Sequence, residues 1–211
     1  MYKRQVVYTL EGEDKDSFSV DDSGKVTLAT PLDYDESKRA YSFVVRASDK
    51  GPNGGLSVSR AVTVSVTDIN DNAPVFVPST YAVSTPENGP AGLVMADTNA
   101  TDKDSGDFGT LVYSISAGNE AGLFRIDTET GIVATTAGLD RERADKYTLT
   151  VRVVDGGDPA LSATATVVVT VVDENDHGPS FEQAVYRATL KEDTGSVSYT
   201  HLTLPTNTVV L

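Results

Sequence analysis

The chain contains no cysteine and no tryptophan. Without cysteine there is no disulfide framework, no thiolate metal site and no cysteine nucleophile. Histidine is scarce, and His177 and His201 are too few and too separated for a typical zinc site. No apolar run reaches the roughly 18 to 20 residues that span a bilayer. No apolar stretch follows Met1-Tyr2-Lys3-Arg4-Gln5 either, so no signal peptide is visible. If the parent protein is secreted or membrane-bound, those parts are expected to lie outside this piece. Basic residues are few, 17 against 31 acidic ones, and the net charge is -14. That disfavours binding to nucleic acid or to an anionic membrane. What is present suffices for folding: 211 residues, 39% of them hydrophobic, suit one or two ordinary domains.

The chain repeats itself. YSFVVRASDKG from Tyr41 matches YTLTVRVVDGG from Tyr147, 106 positions on. VSVTDINDNAPVF, ending at Phe76, matches VTVVDENDHGPSF, ending at Phe181, 105 positions on. Tyr81 and Glu87 match Tyr186 and Glu192 at the same offset, and Leu32-Asp33 matches Leu139-Asp140. One unit is therefore about 105 residues, and the chain samples three consecutive units.

Each unit reads as all-β. Val62, Val64 and Val66 alternate with Ala61, Thr63 and Ser65. Leu149, Val151 and Val153 alternate in the same way, as do Leu111, Tyr113 and Ile115. A period of two puts one face of each strand on a core. Val and Thr dominate these runs, as β-branched residues do in strands. Turn signals separate them at Asp22-Ser23-Gly24, Thr128-Glu129-Thr130-Gly131 and Asp155-Gly156-Gly157-Asp158-Pro159. Short, evenly spaced strands in about 100 residues predict an antiparallel sandwich with Greek-key connections.

Acidic residues gather where units meet. The first linker is Asp68-Ile69-Asn70-Asp71-Asn72-Ala73-Pro74, and the second is Asp173-Glu174-Asn175-Asp176-His177-Gly178-Pro179. Carboxylates so close repel one another unless a cation is present. Ca²⁺ takes six to eight oxygen ligands from carboxylates, amides and backbone carbonyls, and these segments are rich in all three. An EF-hand loop is the obvious competitor, since Asp68, Asn70 and Asn72 match its first three ligand positions. It fails because its sixth position is Ala73 rather than Gly and its twelfth is Ser79 rather than Glu. The second linker fails at Ala184. A solvated acidic turn does not explain the repetition of the whole set in register.

The motif D-x-N-D-N-x-P-x-F at the unit boundary resembles the linker of cadherin repeats. Further motifs of that family are matched by Pro86-Glu87, by Ala100-Thr101-Asp102-Lys103-Asp104, by Leu139-Asp140-Arg141-Glu142 and by Asp155-Gly156-Gly157. The resemblance covers nearly all of residues 6–196. It implies tandem repeats, each a seven-stranded Greek-key β-sandwich of immunoglobulin-like architecture. It implies residues 6–72 as the end of one repeat, 73–177 as a complete repeat and 178–196 as the start of a third. Residues 1–5 and 197–211 resemble translated sequencing adapter, and the tail is expected to have no role and to pack poorly.

The resemblance further implies three Ca²⁺ ions at each junction. At the first, Asp33, Asp35, Asp68, Asn70 and Asp71 would ligate by side chain, and Ile69 and Asn72 by backbone carbonyl. Asp35 stands where the family has Glu and reaches one methylene less far. Asp102, Asp104 and Asp155 would come from the repeat below, with the carbonyl of Phe108. At the second, Glu87, Asp140, Glu142, Asp173 and Asp176 would act with the Glu174 carbonyl. There Asn175 stands where Asn70 stands, and His177 replaces the final Asn and would serve by its carbonyl. The matching Asp pair of the third repeat falls on Asn207 and Val209. The glutamate of the first repeat falls ahead of residue 1. Only the lower ion of the first junction is therefore expected to find a full set: Asn70, Asn72, Asp102, Asp104, Phe108 and Asp155.

The function implied is calcium-dependent cell adhesion or cell–cell recognition on the extracellular side of the plasma membrane. The partner would be another cadherin ectodomain, alike or different, with no nucleic acid and no small-molecule substrate. The lack of Trp excludes Trp-exchange adhesion from this piece, so long Fat-like or protocadherin-like ectodomains fit better. Spacer repeats and a bacterial cadherin-like binding module are the alternatives. Paired acids such as Asp102 and Asp104 could do acid–base work. No nucleophile motif or phosphate loop accompanies them, so no enzyme is expected. Asn99-Ala100-Thr101 is an N-glycosylation triplet.

Overall fold

The computed structural model describes residues 6–49, 51 and 55–178. The adapter-like ends, with Asn207 and Val209 among them, and Glu192 lie outside the described residues. The chain divides into two compact units, Met1–Val172 and Asp173–Leu211.

The first unit opens with five strands: β1 (Val6–Glu11), β2 (Phe18–Val20), β3 (Val26–Leu28), β4 (Ala40–Asp49) and β5 (Ser57–Ser65). Strands β1, β4 and β5 form one antiparallel sheet, and β2 pairs with β3. Phe18, Tyr41 and Phe43 are buried between the two layers. The Phe18 and Phe43 rings are 4.5 Å apart, and Tyr41 meets Phe18 edge-on at 5.8 Å. A single 3-10 turn at Lys15–Ser17 is the only helical element among the described residues.

Nine strands follow: β6 (Val75–Phe76), β7 (Thr80–Pro86), β8 (Val94–Asp97), β9 (Ala100–Thr101), β10 (Val112–Ala117), β11 (Phe124–Ile126), β12 (Ile132–Thr135), β13 (Lys146–Val154) and β14 (Ser162–Val172). One sheet has the order β10-β13-β14-β7, with β7 parallel to β14. The other has the order β11-β12-β8, and β6 pairs with β9 beside it. Taking β6 with β7 and β8 with β9 as interrupted strands, this is the expected seven-stranded Greek-key sandwich.

The period-two pattern sets this packing. Leu149, Val151, Val153, Val167 and Val169 are fully buried, whereas their neighbours along the strand are not. Residues 167 to 169 are all Val, yet Val168 faces outward because alternate side chains take opposite faces. From the facing sheet Met95, Phe124 and Val133 complete the core. The repeat recurs in the register itself. Tyr41 pairs with Val64 as Tyr147 pairs with Val169. Tyr8 pairs with Ala47 as Tyr113 pairs with Val153.

Candidate metal centre

The chain leaves β5 through the first linker and enters β6, so the linker lies between two sandwich ends within the first unit. After β3, Asp33 Oδ1 accepts the backbone N–H groups of Asp35 (2.9 Å) and Glu36 (3.0 Å). Such a turn, closed by its own side chain, carries Asp35 to the linker. Oxygens of Asp35, Asp68 and Asp104 lie within 4.8 Å of one another. The three belong to the turn after β3, the linker and the loop after β9.

The Asn72 side chain stands among these carboxylates. Its Nδ2 donates to Asp104 Oδ1 (2.7 Å), Asp35 Oδ2 (2.8 Å) and Asp71 Oδ1 (2.9 Å), and its backbone N–H donates to Asp104 Oδ2 (3.2 Å). Asp68 Oδ2 accepts from the backbone N–H and the hydroxyl of Ser105, both at 2.7 Å. Asn70 Nδ2 donates to the Pro159 carbonyl at 3.0 Å, and its side chain lies over Gly157. A Cβ at position 157 would overlap that side chain, which explains the glycine there. Asp155 Oδ1 accepts from Gly157 N–H (3.0 Å) and Leu161 N–H (2.9 Å), closing the turn between β13 and β14. Asp102 Oδ1 accepts the Asp104 N–H at 3.0 Å.

Among the described residues, four enclosed side-chain oxygens have no partner after these bonds: Asp35 Oδ1, Asn70 Oδ1, Asp102 Oδ2 and Asp155 Oδ2. Each buried acceptor left so costs about 1–3 kcal/mol. All four belong to the expected ligand set, and all are hard oxygen donors of the kind Ca²⁺ takes. The residues present therefore fit the ion. A cavity of about 80 Å³ on the Asp35 side is lined by Asp33, Asp35, Asp68, Ile69 and Asp71, with Leu32, Tyr34, Val66 and Thr67.

Electrostatics agree. Burial raises the Asp35 pKa, and the carboxylates of Asp68, Asp104, Asp33 and Asp71 raise it further. Burial also raises that of Asp102; the Asp104 N–H opposes this, and the Asp104 and Asp155 carboxylates add to it. At Asp68 burial pushes upward, but the Ser105 bonds and the Ile69 N–H outweigh it and leave the value lowered.

Several contributors escape a reading for ligands. Ser105 holds Asp68. Lys103 Nζ meets Glu36 Oε1 at 2.5 Å, joining the loop after β9 to the turn after β3. The Arg39 guanidinium lies 4.4 Å from the Tyr34 ring centre. Ile69 is 64% exposed, and its carbonyl accepts the Asp71 N–H at 3.0 Å. Phe108 is partly buried in the loop that follows Asp104.

A second group sits at the other end of the complete sandwich. Oxygens of Glu87, Asp140 and Glu142 lie within 4.8 Å of one another. Glu87 is only 2% exposed, and its Oε2 accepts the Arg141 N–H at 2.9 Å. Asp140 Oδ1 accepts the Arg143 N–H at 3.0 Å. In the second unit Asp173, Glu174, Asn175, Asp176 and His177 are exposed. There Asp176 N–H donates to the Glu174 carbonyl (2.7 Å), and His177 Nδ1 lies 2.5 Å from Asp176 Oδ1.

Sandwich repeats with a carboxylate-lined linker between them define a tandem-repeat β protein with an acidic joint. The cadherin domain family matches residues 81–172. The chain is 39% identical over 185 residues to mouse Cadherin EGF LAG seven-pass G-type receptor 2, a match of 87% of this chain and 6% of that protein. It is 43% identical over 184 residues to human Protocadherin-23, a match of 86% of this chain and 5% of that protein. The solved Protocadherin gammaB7 EC3-6 cis-dimer superposes with TM-score 0.73 at 30% identity, over 90% of this chain and 45% of that one. Mouse Cadherin-23 EC22-24 gives 0.70 at 29% identity, over 81% of this chain and 53% of that one. The chain belongs to the cadherin superfamily. It spans only about one-twentieth of the length of these curated relatives. Cadherin repeats are not enzymes, in line with the sequence expectation.

Proposed function

We propose that this chain is part of a Ca²⁺-stiffened ectodomain that acts in cell adhesion or cell–cell recognition, on the extracellular side of a plasma membrane. The observation that carries this reading is the set of four enclosed, unpartnered oxygens of Asp35, Asn70, Asp102 and Asp155. Residues 6–72, 73–177 and 178–196 are then successive repeats, the second complete, and residues 1–5 and 197–211 are adapter-derived.

At the first junction Asn70, Asp102, Asp104 and Asp155, with the carbonyls of Asn72 and Phe108, would hold the lower ion. Asp33, Asp35, Asp68, Asp71 and the Ile69 carbonyl would serve the upper ones. For the second, Glu87, Asp140 and Glu142 are the candidate ligands of the first unit, and Asp173, Glu174, Asn175, Asp176 and His177 those of the second unit. Bound there, Ca²⁺ supplies positive charge that offsets the carboxylate repulsion. The protein's part is positional. The Asp33 turn, the Ser105 bonds and the Asp155 turn hold three segments at the junction, where oxygens of Asp35, Asp68 and Asp104 lie within 4.8 Å of one another. Repeats so joined would resist bending, and their outer surfaces would meet another cadherin ectodomain.

Small-angle scattering tests the stiffening. In a longer piece of the parent protein that completes both junctions, the maximum dimension is expected to shrink and the flexibility to rise when Ca²⁺ is chelated. An unchanged scattering curve would count against the reading.

A further inference from the structure

One motif adjoins the first junction but supplies none of its proposed ligands. Asn99-Ala100-Thr101 is an Asn-x-Thr triplet without proline, placed where β8 gives way to β9. Asn99 and Thr101 are exposed, whereas Ala100 between them is 5% exposed and pairs with Phe76. Alternation along an extended backbone thus turns both acceptor-motif side chains outward while Ala100 anchors the segment to the core. The Tyr113 hydroxyl fixes the local arrangement. It accepts the Ala100 N–H at 2.9 Å and lies 3.4 Å from Asn99 Oδ1. With the carboxamide oxygen turned toward Tyr113, Nδ2 is on the opposite side of the planar amide.

We propose that Asn99 is an N-glycosylation site, an inference that rests on the extracellular reading above. The donor class is an oligosaccharide linked through a diphosphate to a polyisoprenoid lipid. Asn99 Nδ2 attacks the anomeric carbon of its reducing-end sugar, and a C–N bond forms. The bond from that carbon to the diphosphate oxygen breaks, the amide gives up one proton, and the lipid diphosphate leaves. The site is compatible with the junction, because Asp102 Oδ2 and Asp155 Oδ2 are enclosed whereas Asn99 is exposed. A glycan there covers the surface around the start of β9 and keeps a protein partner from seating closely on it.

The full chain is to be expressed in cultured animal cells behind a secretory signal, with a control Asn-x-Thr triplet in a terminal tag. The secreted protein is treated with an N-glycan-releasing amidase in heavy-oxygen water and mapped by mass spectrometry. The expected result is a heavy-oxygen label at position 99. N99Q and T101A each abolish it while leaving the calcium titration within about two-fold of the parent. An unlabelled position 99 beside an occupied control would overturn the proposal and leave the extracellular reading standing. A bare control as well would overturn both.

Discussion

The Asn72 side-chain nitrogen stands 2.7 Å from Asp104 Oδ1, and the same nitrogen reaches Asp35 and Asp71. One neutral amide therefore gathers carboxylates from a turn of the first repeat, from the linker and from a loop of the second. Hydrogen bonds to charged groups contribute about 1.5–3 kcal/mol each, against about 0.5–1.5 for ordinary ones. Asn72→Ala is expected to destabilise the chelator-treated protein by about 2 kcal/mol, a fall of roughly 4–8 °C in Tm. Excess Ca²⁺ should narrow the gap to the parent, because the Asn72 carbonyl survives the substitution. Thermal melts with and without chelator measure both quantities.

Gly157→Ala places a methyl group where the Asn70 side chain lies. Asn70 must then move, and its Oδ1 leaves the cluster. Calcium affinity at the first junction is expected to fall roughly ten-fold, or about 1.4 kcal/mol. Calorimetric titration of the variant reads this directly, and an unchanged Kd would show that Asn70 is not a ligand.

The Lys103–Glu36 pair joins the same two segments as Asn72, but its side chains are 63% and 64% exposed. Exposed pairs contribute only about 0.2–1 kcal/mol, so Lys103→Glu should shift calcium affinity by no more than about five-fold. The shift should vanish near 1 M salt, where the screening length is about 3 Å. Repeating the titration across a salt series checks it, and the doubly reversed variant, Lys103→Glu with Glu36→Lys, should restore the parent value.

Away from the junction, Asp127 gives a pH signature. Its Oδ1 accepts the Thr130 and Glu129 N–H groups, and these bonds, Thr130 first, hold its pKa below the ordinary 3.8. A depressed folded-state value means that stability is present above pH 3.8 and is lost as pH falls through the lower, folded value. Asp127→Asn should therefore melt earlier than the parent at neutral pH, and the two curves should converge in acid. Melting temperatures at several pH values in chelator show whether they do.

The sandwich was legible because its signals are local. Alternation in 149–153 and 165–171 states which face each strand buries, and the 105-residue offset states that the pattern recurs. The acidic and amide side chains of the candidate site were legible as residue types for the same reason. What the sequence did not disclose is how segments far apart in the chain meet. Asn72 reads as a carbonyl donor, and only folding brings its amide to Asp35 and Asp104, which are 37 and 32 positions away. Ser105 and Gly157 carry no periodic signal, and their roles exist only against Asp68 and Asn70.

The central claim is that the oxygens converging at the first junction form a Ca²⁺ site. Calorimetric titration of the chelator-stripped chain, beside the Asp102→Asn, Asp155→Asn double variant, tests it most directly. The account predicts saturable calcium binding by the parent and loss of at least one binding event in the variant, with the variant still folded by circular dichroism. Identical titration curves for the two proteins, or no saturable binding by the parent, would contradict it.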